Sequence, residues 1–204
     1  DVCEVAVPAY STLGWLDDPL TEPMLRGGPG RIVETIVHEL VHATVFLPDA
    51  ADWNEGVATF VGQEASVAWY VAAGRTEEAE RERARVEDDR RLAAAMLALR
   101  EEVAELYAGE PAGPERDARR RQIEERGREA IAALPLATRD PAAVAASARL
   151  NDACLALAGT YTADLAGYAA VLAASGGDLR AFVARLRAAA EAPDPRAALL
   201  GQGS

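Results

Sequence analysis

Arg31-Ile32-Val33-Glu34-Thr35-Ile36-Val37-His38-Glu39-Leu40-Val41-His42-Ala43-Thr44 is the stretch whose period decides how this chain folds. Ile32, Val33, Ile36, Val37, Leu40, Val41, Thr44 and Val45 follow the i, i+3, i+4, i+7 template, which predicts an amphipathic helix with one broad buried face. Gly28-Pro29-Gly30 is a breaker cluster upstream and Pro48 stops the helix downstream. His38 and His42 fall at the edge of the apolar stripe. Residues four apart on a helix are neighbours with Cβ atoms roughly 5–6 Å apart, so both imidazoles can reach one metal ion. Glu39 sits beside them.

This is the H-E-x-x-H zinc-peptidase pattern, in which two neutral imidazoles hold Zn²⁺ and the Glu serves as general base towards a water. The chain has two histidines and both lie in the motif. The plain alternative is a helix with two exposed histidines. Catalytic zinc usually keeps three protein ligands, and Trp53-Asn54-Glu55-Gly56-Val57-Ala58-Thr59 offers the third in Glu55. A second reading stays open: Asp52 as N-cap with Glu55 three residues later is a variant capping box. Trp53, Val57, Phe60, Val61, Val67, Ala68 and Val71 continue a helical period up to Gly74. Glu55, Thr59, Gly62 and Ser66 share another face, whose small residues leave room for a partner helix and a metal.

His38-Glu39-Leu40-Val41-His42, twelve residues, then Asn54-Glu55-Gly56-Val57-Ala58-Thr59-Phe60 resembles the gluzincin metallopeptidases, whose third ligand is the Glu of an Asn-Glu pair. More narrowly, the chain resembles a bacterial family of putative aminopeptidases. The likeness extends to Ala9-Tyr10-Ser11-Thr12-Leu13-Gly14-Trp15-Leu16-Asp17-Asp18-Pro19, to Arg149-Leu150-Asn151-Asp152-Ala153 and to Thr160-Tyr161, and is weakest between Arg75 and Pro141. The resemblance implies one Zn²⁺ held by His38, His42 and Glu55. Two departures from the broader group carry expectations. The gap of twelve residues is shorter than in thermolysin-like enzymes, so the turn between the ligand helices must be tight. Thr59 stands where those enzymes place an Asp, so the orientation of a ligand histidine must come from elsewhere.

The remaining sequence bounds the function class. The 204 residues, half of them apolar, suffice for one solid core. A net charge of −12 argues against nucleic acid and against an anionic membrane surface. Cys3 and Cys154 stand in no ligand spacing; the expectation is that they stay unbridged, with a single disulfide as the alternative. No stretch approaches 18 consecutive apolar residues. The chain opens at Asp1 without an initiator Met, which is read as a fragment or a processed form. The resemblance implies an export or lipoprotein signal before it and a place in the bacterial cell envelope.

Val2 to Val7 is the one strand-like segment, a candidate edge for pairing with a substrate backbone. Tyr10 to Pro23 reads as a loop, and Tyr10 is either an oxyanion donor or a packing residue. Thr76 to Ala108 is a long helix, first a solvated charged arm through Arg91, then a seam of Leu92, Met96, Leu99, Val103 and Leu106. Gly109 to Pro114 turns the chain, and Glu115 to Leu134 folds back as a hairpin outside the core. Ala146 to Ala158, Tyr161 to Ala174 and Asp178 to Ala190 are helices. Asn151 and Tyr161 either reach the site or cap and pack.

The expected fold is mainly α, a zincin-like (gluzincin) metallopeptidase core with a short N-terminal strand and a helical hairpin. It forms one domain over residues 1–204, with its core in 1–75 and 140–191 and the hairpin in 76–139. The expected activity is zinc-dependent hydrolysis of peptides, with Glu39 as base and Tyr10 or Tyr161 donating to the oxyanion. Aminopeptidase action needs a carboxylate for the substrate α-amine, for which Glu34, Asp17 and Glu64 are the candidates. The rivals are a non-catalytic zinc-containing envelope protein that binds a partner through its hairpin, and a metal-dependent hydrolase of a non-peptide bond. Nothing in the sequence sets the oligomeric state.

Overall fold

The computed structural model describes residues 1–4 and 21–201. Among them there are ten helices and no strand: α1 (Glu22–Arg26), α2 (Gly28–Thr44), α3 (Ala51–Ala72), α4 (Thr76–Gly109), α5 (Pro114–Ala132), α6 (Pro141–Ser147), α7 (Asp152–Thr162), α8 (Leu165–Ala174), α9 (Leu179–Ala190) and α10 (Pro195–Leu200). The protein is therefore mainly helical. Of the expected N-terminal strand, residues 2–4 have no regular structure and residues 5–7 lie outside the described residues. Tyr10 and Asp17 lie outside them as well.

The chain divides into two compact units, one formed by Asp1–Val5 with Arg83–Thr162 and the other by Ala6–Glu82 with Ala163–Ser204. Residues 140–162 thus group with the hairpin, whereas the sequence reading placed them with the site. Among the described residues, Asp152–Ala174 is long and apolar enough, by length and composition, to cross a membrane. It is nevertheless two helices, because Asp164 adopts a left-handed φ of 61° between α7 and α8.

In the unit that carries the histidines, α2 begins earlier than the breaker cluster suggested. Pro29 sits in its first turn, where a missing N–H costs nothing. The helix ends at Thr44, and Val45 is already extended. Its buried face is narrower than the period implies: Val41 and Val45 are buried, but Ile36 is 40% and Leu40 57% exposed. The burial belongs instead to α3, where Trp53, Val57, Ala58, Phe60, Val61, Val67 and Tyr70 are all buried. Phe60 meets Tyr168 of α8 and Phe182 of α9 at ring-centroid distances of 5.8 and 5.2 Å, a tilted aromatic trio that fastens α3 to the C-terminal helices.

Two glycines set how closely α3 is approached. A Cβ on Gly62 would come within 2.6 Å of the Glu34 carbonyl oxygen, and one on Gly56 within 2.8 Å of the Ala163 carbonyl oxygen. The small-residue face read from the sequence therefore lies directly against α2.

The other unit has its own core, in which Leu99, Val103 and Leu106 of α4 pack with Ile123 and Ile131 of α5, Ala145, Leu150 and Leu155. The hairpin is consequently not an excursion outside a core, because its seam is completed by α6, α7 and the segment between them. The charged start of α4 is not a solvated arm either. Val86 and Asp88 are fully buried, and Glu82 nearly so. Asp88 accepts hydrogen bonds from the Ala137 and Thr138 backbone N–H groups at 2.8 and 2.7 Å and from the Thr138 hydroxyl at 2.7 Å. Those donors hold its carboxyl at about 2 against the opposing effect of burial.

Cys3 and Cys154 form a disulfide, contrary to the unbridged expectation. Their 151-residue separation gave no local signal; the pairing depends on how residues 1–4 lie along the start of α7. Arg149 donates to the Glu4 carbonyl and the Asn151 amide to the Val2 carbonyl. The Asn151 side-chain oxygen meanwhile accepts from Cys154 N at 2.8 Å. Asp152 accepts from Tyr107 at 2.6 Å and from Arg120 at 2.8 Å. The Arg149 to Ala153 stretch is thus an anchoring segment in this unit, and Asn151 has the capping role.

Candidate metal centre

The α2–α3 pair brings together the side chains singled out in the sequence. His38 Nε2 lies 3.1 Å from His42 Nε2 and 3.1 Å from Glu55 Oε2, and His42 Nε2 lies 3.5 Å from Glu55 Oε1. The helical i, i+4 spacing supplies the two imidazoles, and the first turn of α3 supplies the carboxylate. The rings meet edge to face, with centroids 4.8 Å apart and an interplanar angle of 83°. This arrangement directs both Nε2 atoms at the same point.

The donor set suits a metal ion on two counts. A tetrahedral site with bonds of about 2.0–2.2 Å has ligand–ligand edges of roughly 3.3–3.5 Å, close to all three observed separations. Two imidazoles that both turned Nε2 lone pairs inward at 3.1 Å would repel unless a proton or a metal ion lay between them. A proton relieves one pair of the three; a divalent ion relieves all. His38, His42 and Glu55 form a cluster that could hold a metal ion.

Burial works against the Glu55 carboxylate, yet hydrogen bonds from His38 and His42 and their charge hold it down to about 2. The hydrogen bond to Glu55 raises His42 against the lowering effect of burial, and the charges of Glu55 and Glu39 add to the rise. Glu39 therefore acts on the cluster without belonging to its three donors.

Glu55 takes no part in a capping box. The N-cap of α3 is Ala50 with no side-chain cap, and Asp52 lies inside the first turn. The connection over residues 45–50 is as tight as the short gap required. Asn54 closes it: its side-chain oxygen accepts from Leu47 N at 2.9 Å and its amide donates to Leu47 O at 2.7 Å. Sequence reading assigned Asn54 no role, although its place beside Glu55 in the Asn-Glu pair was a visible signal. Asp49, at a left-handed φ of 59°, turns the chain between them.

His42 Nδ1 is buried and has no hydrogen-bond partner among the described residues, so no acceptor on that nitrogen orients the ring. Of the carboxylates considered for a substrate α-amine, Glu64 is buried and follows Glu55 by about two and a half turns, which places it on the opposite side of α3. Glu34 lies one turn before His38 on α2 and pairs with Arg31 at 3.3 Å. Tyr161 is on α7, in the other unit, and is exposed.

A family model described as Putative aminopeptidase matches residues 1–200. The chain belongs to that family. No curated protein and no solved structure matches it. The family's name points to aminopeptidase activity, and a match over almost the whole chain takes in both helical units as well as the His38-His42-Glu55 cluster.

Proposed function

We propose that this member of the aminopeptidase family is a zinc-dependent peptidase whose metal is held by His38, His42 and Glu55. The observation that carries the reading is the convergence of two Nε2 atoms and one carboxylate at separations of 3.1–3.5 Å, near the edges of a small tetrahedron. When bound there, zinc would supply Lewis acidity to the scissile carbonyl and to a water. Glu39, adjacent on α2 and not one of the three donors, would take a proton from the attacking water and deliver it to the departing amine. Tyr10 would donate a hydrogen bond to the developing oxyanion. The zincin-like character of the core belongs to this same proposal.

For a substrate α-amine the carboxylates retained are Glu34 and Asp17, because Glu64 is turned to the far side of α3. We place the enzyme in the bacterial cell envelope. The Cys3–Cys154 bridge supports this, since disulfides persist in oxidising compartments and are rare in the reducing cytosol. The test is metal analysis of the purified chain alongside cleavage of a peptide library with free and blocked N-termini. Stoichiometric zinc with cleavage of free N-termini is the expected result. A chain that binds no zinc, or that cleaves no peptide when loaded, would remove the proposal.

A further inference from the structure

The side chain of Asn54 is almost wholly buried, and both of its polar atoms are used on a single residue, Leu47, seven positions back across the turn. Asn54 N also bonds to Ala50 O, so this one residue fixes the start of α3 with its backbone and the middle of the turn with its side chain. Leu47 follows His42 by five residues and Asn54 precedes Glu55 by one. The amide therefore ties the turn that follows His42 to the residue that precedes Glu55.

We infer that Asn54 is a positioning residue for Glu55: its paired hydrogen bonds to the Leu47 backbone fix the first turn of α3 so that the Glu55 carboxylate meets both imidazoles. This rests on the metal reading of the cluster. The physical argument concerns alternatives open to the turn. Six residues join α2 to α3, and the Val45 N to Val41 O and Thr44 hydroxyl to Leu40 O bonds both stay within the end of α2. The bonds from Leu47 to Asn54 are what tie the middle of that turn to α3. Without the amide, two part-buried backbone groups of Leu47 lose their partners, and the chain recovers them by moving the turn towards water. Such a shift carries Glu55 with it, while His38 and His42 stay on an intact helix. Ligand geometry is sensitive at this scale, and groups that orient metal ligands typically change affinity 10–100-fold when removed.

The test uses the full chain and reads zinc affinity by chelator competition, with thermal unfolding of the zinc-free protein measured in parallel. Asn54→Ala is expected to bind zinc 10–100-fold more weakly than the parent while retaining its helical content. Asn54→Asp keeps the acceptor for Leu47 N–H and is expected to fall between the two. Asp88→Asn serves as control: it removes a buried anchor in the other unit, and should lower thermal stability while leaving zinc affinity unchanged. Should Asn54→Ala fold and bind zinc like the parent, the positioning role is overturned. If Asn54→Ala does not fold, Asn54→Asp decides, and parental affinity in that variant overturns the role as well. A parent chain that binds no zinc would instead overturn the metal reading itself, a separate outcome visible before any variant is made.

Discussion

The chain contains two helical hairpins built on opposite principles. In α2–α3 the helices meet through bare backbone, Gly62 against the Glu34 carbonyl, and the six-residue turn is closed by a neutral amide. In α4–α5 the contact is a Leu, Val and Ile seam, with Gly127 against Leu99, and the chain beyond α5 is pinned by a buried carboxylate, Asp88. Exposed pairs such as Arg126 with Glu102 and Arg119 with Glu110 decorate that second hairpin and contribute little to its stability. Both pairs use a glycine for close approach, but in α2–α3 it faces the partner helix's backbone, whereas in α4–α5 it makes room for a leucine side chain of the seam.

The sharpest way to break this comparison is at Glu55. Glu55→Ala should weaken zinc binding severely and abolish turnover, as measured by metal content after dialysis and by peptide cleavage. Asp52→Ala, beside it but neither cap nor ligand, should stay within about 0.5 kcal/mol of parental stability and keep its zinc. Tight zinc in Glu55→Ala would sink the ligand assignment.

Glu39→Gln separates base from ligand. It should retain about one zinc per chain and lose at least 10²–10⁴-fold in turnover, the range typical for removal of a general base. Loss of the metal in that variant, or unchanged turnover, would contradict the role.

In the second hairpin the comparable anchor is Asp88, and its removal should affect stability alone. Asp88→Asn should cost about 2–3 kcal/mol in denaturant unfolding, because buried backbone donors of Ala137 and Thr138 lose a charged acceptor. The pH dependence has a definite sign. The folded state holds this carboxyl at about 2, below its ordinary value of 3.8, so unfolding takes up a proton in the interval between. The contribution is complete above the ordinary carboxyl range and is lost as pH falls towards 2. The Asn variant should show a shallower acid limb, and an identical limb would count against the anchor.

The smallest effect is expected at the tip between α4 and α5. Replacing residues 110–113 with another short flexible turn should leave hydrolysis of small peptides unchanged, since the seam below the tip carries the packing. A collapse of activity with fold and zinc content preserved would show that this tip matters to catalysis.

The sequence by itself determined the helices α2 and α3, the convergence of His38 and His42, and the candidacy of Glu55. A four-residue spacing on a helix is a local property of the backbone, and a short gap leaves the next helix few places to go. It also carried the seam of α4, because a 4-3-4-3 spacing survives in any context that buries it. Tertiary structure alone decided the rest. Which helix is buried depends on what packs against it, so α3 took the core position that the period of α2 had suggested for α2. Asp88 reads as one more charge on a solvated arm until the backbone of Ala137 and Thr138, some fifty residues away, arrives to meet it. Asn54 and Leu47 are close in sequence, yet their pairing exists only once the turn has closed. Cys3 finds Cys154 across 151 residues for the same reason. Periodicity encodes neighbours one or two turns away, and these partners are chosen by the fold.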